Sequence, residues 1–165
     1  MRYYLGLGSN LGDSKLYLRR ALELLEQKNI GKVGARSHLY LTAPIGGPDQ
    51  PWFLNGAAVV ESGLKPEAML EALLGIELEL GRTRRLGEKN FPRTIDLDIL
   101  LADEMVLKKP ELQIPHPRMR ERRFALMPLS EIAGEIKDPE QGITVRGILE
   151  GLKDDGRVKK LDEIL

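Results

Sequence analysis

The sequence predicts an α+β fold of the ferredoxin-like kind, a βαββαβ sandwich whose antiparallel sheet carries two helices on one face, with a strand and a helix added toward the C-terminus. Three observations predict it. Apolar residues recur with the period of a strand at 3–8, 33–41, 53–61 and 94–101, and with the period of a helix at 14–28 and 66–80, in the order β, α, β, β, α, β. The second and third strands are joined by a stretch rich in proline and glycine rather than by a helix, so they pair as an enlarged hairpin. At 165 residues, 42% of them hydrophobic, the chain is long enough for one domain (1–165) to bury its own core without staples.

Each element has a local reason. Residues 3–8 give a short strand, and Ser9, Asn10, Leu11, Gly12 and Asp13 the loop after it. Asp13 or Ser14 caps a helix whose Leu18, Ala21, Leu22 and Leu25 form one stripe, ending near Asn29 and Gly31. In a single second strand, Val33, Ala35, Ser37, Leu39 and Leu41 alternate with Arg36, His38 and Tyr40. Pro44, Gly46, Gly47, Pro48 and Pro51 cannot continue a ladder, and a long loop of this kind inside a compact domain is often functional. The third strand, 53–61, follows. Pro66 suits the first turn of a helix running to Leu80, with Met69, Leu70, Leu73, Leu74 and Leu80 as its buried stripe. Glu77 lies on that stripe, either as an edge carboxylate reaching water or an arginine, or turned toward a site. Beyond the 94–101 strand, a tight turn at 102–104 leads to a short strand at 105–107, and Pro115 and Pro117 stiffen an extended segment around His116. Residues 124–132 are partly helical, Thr144 caps a last helix bearing Val145, Ile148, Leu149 and Leu152, and 157–161 adds an edge strand.

The totals exclude several chemistries. With 25 basic and 25 acidic residues the net charge is zero, which argues against a general binder of nucleic acid or of membrane surfaces. There is no cysteine, so disulfides, thiolate metal sites and cysteine nucleophiles are out, and two histidines are too few for a histidine-rich centre. Oxygen-ligand chemistry remains. No apolar run reaches the length of a signal or membrane-spanning segment, so the chain reads as soluble and cytoplasmic, and no heptad or long apolar edge advertises an interface, so it reads as a monomer.

The stretch that carries chemistry is the strand at 94–101. Ile95, Leu97, Ile99 and Leu101 face one way, and Asp96 and Asp98 the other. Their Cα atoms lie roughly 6–7 Å apart along a strand, so the two anions repel unless one is protonated or a cation lies between them. Oxygen ligands on a rigid strand suit Mg²⁺, which takes one or two carboxylates and completes its shell with water and substrate phosphates. The plain alternative is a solvated strand face. The neighbourhood favours the metal: Arg82, Arg84, Arg85, Lys89 and Arg93 lead into the strand, and guanidinium forks bind phosphate oxygens.

Taken in order, Gly8-Ser9-Asn10-Leu11-Gly12, Pro44-Ile45-Gly46, Gln50-Pro51 with Phe53-Leu54-Asn55, Gly81-Arg82 with Arg84, Pro92-Arg93-Thr94-Ile95-Asp96-Leu97-Asp98, and Pro115-His116-Pro117 through Arg122 and Phe124 resemble the 6-hydroxymethyl-7,8-dihydropterin pyrophosphokinases of folate biosynthesis. The resemblance runs to about Leu129. It implies an enzyme that moves the β,γ-pyrophosphoryl group of ATP to the hydroxymethyl oxygen of the pterin and leaves AMP. It implies two Mg²⁺ ions on Asp96 and Asp98, and Arg82 and Arg93 as catalytic handlers of the phosphates. ATP would be held by Arg84, Arg93, His116 and Arg122, with Glu77 kept among the nucleotide-side candidates. For the pterin it implies Phe53 and Phe124 as the slot around the ring, Asn55 as the reader of its amide-like edge, and Thr42, Pro44 and Ile45 as the lining loop. Judged singly, Phe53 and Phe124 are core aromatics, Asn55 an ordinary strand residue and His116 a surface or structural histidine.

One departure stands out. The family commonly has an aromatic residue and then a glycine before Pro-Arg-Thr, where this chain has Asn90 and Phe91. The expectation is that Phe91 covers the pterin once three segments, near Asn10, at 42–51 and at 81–92, close over the substrates. Two other readings of the fold are an RNA-recognition module, opposed by carboxylates on the strand that would meet a phosphate backbone, and a small-molecule regulatory domain, which leaves the arginine loop unexplained.

Overall fold

The computed structural model describes residues 1–46, 49–83, 91–153 and 156–165. The elements run β1 (Arg2–Ser9), α1 (Ser14–Gln27), β2 (Lys32–Arg36), β3 (His38–Thr42), β4 (Phe53–Glu61), α2 (Pro66–Glu79), β5 (Asp96–Ala102), β6 (Leu107–Lys108), β7 (Gln113–Ile114), α3 (Arg123–Ala133), α4 (Val145–Gly151) and β8 (Val158–Ile164). The main sheet has the order β5-β1-β4-β3-β8, with β2 also on β4, and every pairing in it is antiparallel. This is an α+β fold with the strand order that the βαββαβ pattern requires.

Local chemistry accounts for the boundaries. Asp13 caps α1 by accepting from the Leu16 N–H at 3.1 Å, and Thr144 caps α4 by accepting from the Gly147 N–H at 3.1 Å. The helix α2 opens on Pro66 and is stopped two residues beyond its last residue, Glu79, by Gly81, whose φ of +80° lets the chain turn back so that the Arg82 N–H reaches the Glu77 carbonyl at 2.9 Å.

Three expectations needed correction. The single strand at 33–41 is two strands broken at Ser37, whose hydroxyl accepts from the Ala57 N–H and donates to the His38 carbonyl, so the register on β4 slips by a residue there. Of the stripe expected on α2, Met69 and Leu73 are buried and Leu70 and Leu80 pack partly buried against the core, but Leu74 is exposed, and Ile76 and Glu77 are buried in addition. The short strand starts two residues late, at Leu107, since Met105 is still in the turn, its N–H donating to the Ala102 carbonyl.

The helices α1 and α2 share one face of the sheet, as expected, and the added helices α3 and α4 lie on the other. The larger core cluster joins α1 and α2 to Tyr3, Leu5, Leu7, Ala58, Val60, Leu97 and Ile99. The smaller one joins α3 and α4 to Tyr4, Ala57, Val59, Leu100 and Leu101 on the opposite face. Those two helices cover only part of that second face, and the rest of it is open.

Candidate active site

The open part of the sheet forms the floor of a cavity of about 460 Å³. Antiparallel register fixes what stands on it. Gly8 of β1 lies between Asn55 of β4 and Asp96 of β5, and Gly6 lies between Ala57 and Asp98. Adjacent strands are about 4.8 Å apart, so Asn55 and Asp96 stand about 10 Å from each other across a strip of glycine. The glycines keep that strip clear: a Cβ at Gly8 would come within 2.6 Å of Asn55 Oδ1, and one at Gly6 within 3.2 Å of Leu100.

One end of the cavity is built for a flat ring with a polar edge. Phe53 of β4 and Phe124 at the start of α3 line it with Asn55, Thr42, Pro44 and Ile45. Asn55 is buried and its amide donates to Thr42 Oγ1 at 2.6 Å, which fixes the amide orientation and leaves Oδ1 beside the glycine strip.

Guanidinium groups and carboxylates fill the other end. Arg82 donates to Asp96 at 2.5 Å and to Glu77 at 2.5 Å, and Arg93 donates to the second oxygen of Asp96 at 2.9 Å. Arg122 stands 3.7 Å from Asp98. The same two arginines lie over the two aromatic rings, Arg93 5.4 Å from the Phe53 centroid and Arg122 5.4 Å from that of Phe124. Each ring is thus followed by a guanidinium and then a carboxylate, Phe53, Arg93 and Asp96 in one series and Phe124, Arg122 and Asp98 in the other.

The electrostatics follow from that crowding. Burial pushes the Asp96 carboxyl up, but Arg82 and Arg93 outweigh it and hold Asp96 below the usual carboxylate value. Burial, and then the charge of Asp96, push Asp98 up to about 6, because Arg122 at its longer distance offsets less. Burial and the nearby Arg122 and Arg118 lower His116 to about 4. Its ring is thus neutral near pH 7, and its 4.0 Å approach to Asp98 is not an ion pair. His116 Nδ1 accepts from the Arg118 N–H at 3.1 Å, which assigns the ring proton to Nε2 and makes that nitrogen a donor into the cavity.

Two carboxylates within a ring of cations mark a place that holds positive charge, and the donor set is oxygen alone. That fits Mg²⁺ completed by substrate phosphates. Among the described residues no group of three or more histidines, cysteines, aspartates or glutamates could cage an ion unaided.

Of the residues singled out in the sequence, Arg82, Arg93, Asp96, Asp98, His116 and Arg122 meet at the phosphate-like end, and Thr42, Pro44, Ile45, Phe53, Asn55 and Phe124 at the ring-like end. Glu77 is elsewhere. It is buried behind Arg82, accepts from the Leu97 N–H at 2.8 Å and does not line the cavity. Arg84 and the rest of 84–90, including Arg85, Lys89 and Asn90, lie outside the described residues, and so does the central part of the expected lid. Phe91 is exposed and does not line the cavity.

Sequence reasoning assigned no role to Gly6, Arg118 or Glu121, all of which line the cavity; Gln50, which also lines it, and Asn10 entered only as members of the matched motif and of the segments expected to close over the substrates. Asn10 is buried and links three segments: its amide donates to Gln50 and to the Pro51 carbonyl, both at 2.9 Å, its Oδ1 accepts from the Arg93 N–H at 2.9 Å, and its N–H donates to the Arg93 carbonyl at 3.1 Å. The alternate glycines of Gly6-Leu7-Gly8 were the legible signal for the floor, since glycine inside a strand marks a close approach.

A sheet floor with paired carboxylates among arginines at one end and an aromatic slot at the other belongs to the class of small-molecule phosphotransfer enzymes. Comparison with known proteins agrees. The model of the 7,8-dihydro-6-hydroxymethylpterin-pyrophosphokinase family matches residues 4–134, and the chain belongs to that family. It is 46% identical over 134 residues to a 2-amino-4-hydroxy-6-hydroxymethyldihydropteridine pyrophosphokinase of Bacillus subtilis, covering 81% of this chain and 79% of the relative. To the protein of that name from Pseudomonas aeruginosa it is 42% identical over 139 residues, covering 84% and 85%. Among solved structures it resembles the Plasmodium falciparum HPPK-DHPS, with a TM-score of 0.72 at 18% identity over 90% of this chain. That likeness concerns the fold, and the chain spans 42% of the length of that protein.

Proposed function

We propose that this chain, as a single domain over 1–165, transfers the β,γ-pyrophosphoryl group of ATP to the hydroxymethyl oxygen of 6-hydroxymethyl-7,8-dihydropterin, giving AMP and the pterin diphosphate for folate biosynthesis. The observation that carries this reading is the row Asn55, Gly8, Asp96. It places an amide that can read a heterocycle edge about 10 Å from a metal-type carboxylate, across a floor with no side chain. That span accommodates a bicyclic ring and its hydroxymethyl arm, with the arm ending where the phosphates lie.

In this reading Phe53 and Phe124 stack on the pterin, and Asn55, oriented by Thr42, pairs with its edge. Asp96 and Asp98 hold two Mg²⁺ ions, which supply charge neutralisation and alignment of the attacking and leaving oxygens. Arg82 and Arg93, relieved of their hold on Asp96, turn to the phosphate oxygens, where fixed guanidiniums count most as charge grows in the transition state. His116 donates from Nε2, and Arg122 neutralises charge on the nucleotide side. Arg84 belongs to the same phosphate clamp, and Phe91 closes over the pterin. We take the enzyme to be a cytoplasmic monomer. Among the described residues no helix is long and apolar enough to cross a membrane.

The test is AMP release from Mg-ATP with and without the pterin, on the wild type and on Asp96→Ala and Asp98→Ala. Pterin-dependent AMP that disappears in both variants is the expected result. A folded wild type that makes no AMP would refute the assignment.

A further inference from the structure

The family match ends at residue 134, yet the chain continues into α4 and β8, and β8 pairs with β3 at the edge of the sheet. Just before β8, Arg157 touches the functional loop twice. Its carbonyl accepts from the Ala43 N–H at 3.0 Å, one residue beyond the end of β3. Its guanidinium lies over Trp52, 5.8 Å from the ring centroid, one residue before β4. Arg157 therefore grips both ends of the loop that runs from Ala43 to Trp52, and between those ends Pro44, Ile45 and Gln50 line the ring-like end of the cavity. The strand behind it is itself fixed: Val158 pairs with Thr42, the residue that orients Asn55, and the buried Leu165 donates its N–H to the Ser37 carbonyl at 3.0 Å.

We propose that Arg157 is a positioning residue for the pterin, acting through Trp52 and the loop at 43–52. The proposal rests on the reading of the cavity's aromatic end as the pterin pocket. A loop held at both ends loses less freedom when substrate arrives, so releasing one end weakens binding of the group that the loop contacts and leaves the chemical step alone. The guanidinium contact is exposed, and an exposed contact of this type corresponds to roughly a two- to fivefold change in an equilibrium.

Trp52 is the only tryptophan in the chain, so its fluorescence reports on this contact without a label. Two measurements on Arg157→Ala and Arg157→Lys decide the matter. In steady-state kinetics, Arg157→Ala should raise KM for the pterin about two- to fivefold while kcat and KM for ATP stay at wild-type values, and Arg157→Lys, which keeps a cation over the ring, should recover most of the loss. In the substrate-free protein, acrylamide should quench Trp52 more strongly in Arg157→Ala than in the wild type or Arg157→Lys. A pterin KM that does not move, or a loss spread equally over kcat and both KM values, overturns the proposal. If the wild type makes no AMP the functional reading fails separately, and unchanged quenching in Arg157→Ala would then overturn the clamp itself. Should Arg157→Ala not fold, Arg157→Lys against Arg157→Gln carries the same comparison, equal pterin KM and equal quenching in the two being the refuting result.

Discussion

The glycine strip can be tested by one methyl group. In Gly8→Ala the new Cβ would lie 2.6 Å from Asn55 Oδ1 and 3.8 Å from Phe53 Cδ1, where ordinary contact begins near 3.4 Å. The difference, 3.4 minus 2.6, means that the Asn55 amide must retreat by about 0.8 Å. It has little freedom to do so, because it is buried and its other end is tied to Thr42 at 2.6 Å. Overpacking of this kind costs about 1–3 kcal/mol, and a buried amide pulled off its partner costs about the same again. Since about 1 kcal/mol lowers the melting temperature of a domain this size by about 2–4 °C, the combined cost of about 2–6 kcal/mol corresponds to a drop of about 4–24 °C. The pterin should suffer more than ATP, because Asn55 moves and the aspartates do not. KM for the pterin should rise about tenfold or more, the equivalent of about 1.4 kcal/mol, with KM for ATP close to wild type. Melting by circular dichroism and a two-substrate kinetic matrix read both quantities. If Gly8→Ala melts with the wild type and keeps its pterin KM, the floor is not held to the tolerance described and Asn55 is not the edge reader.

Three further outcomes are expected. Glu77→Gln should lower kcat with little change in either KM, because Arg82 loses its charged partner behind the cavity while the cavity walls stay intact; it should also melt about 2–8 °C lower, from about 1–2 kcal/mol, and a wild-type kcat would show that Asp96 alone places Arg82. Asp138 is buried and accepts from Arg120 at 2.5 and 2.9 Å and from the Glu140 N–H at 2.8 Å, so Asp138→Ala should cost about 3–5 kcal/mol in a denaturant titration at pH 7. Burial raises the Asp138 carboxyl, but Arg120 and the loop N–H groups outweigh it and the net shift is downward, so this stabilisation is present above the unfolded value near pH 4 and is lost as pH falls through the lower folded value. The stability gap between Asp138→Asn and the wild type should accordingly narrow below about pH 4, and a gap that is constant with pH would contradict the sign.

Much of this architecture was legible because period and punctuation agree. The strand at 94–101 shows its two aspartates on one face in the sequence as it does in the structure, since alternation alone decides which side a residue takes. The caps of α1 and α4 were legible for the same reason, as Asp13 and Thr144 have side chains that satisfy helix N–H groups wherever they stand. What escaped was long-range. The break at Ser37 depends on a hydroxyl meeting Ala57, 20 residues away, which no local pattern records. The true face of α2 depends on its rotation against β5. Leu74 and Ile76 both read as apolar, and only packing decides which of them is covered. Helices on the second face could not be placed by counting periods, although it is their partial cover that leaves room for the cavity. The meeting of the segments near Asn10, at 42–51 and at 81–92 was expected, but the bonds by which Asn10 joins them, spanning 40, 41 and 83 residues, follow no local pattern.

The outer strand β8 has a bearing on colloidal behaviour as well as on the loop it holds. An antiparallel sheet that stops at an open strand offers a row of free N–H and C=O groups to any other chain, and growth by edge pairing is the route to aggregation. Here the last strand presents Lys159, Lys160, Asp162 and Glu163, all exposed, with Glu163 paired to Lys15 and Arg19 of α1. At the far side of the sheet, the His116 N–H occupies the Leu100 carbonyl of β5 at 2.9 Å. Charge guards one margin and a returning segment guards the other, so lateral growth of the sheet would have to desolvate ions at one edge or displace a residue that lines the cavity at the other.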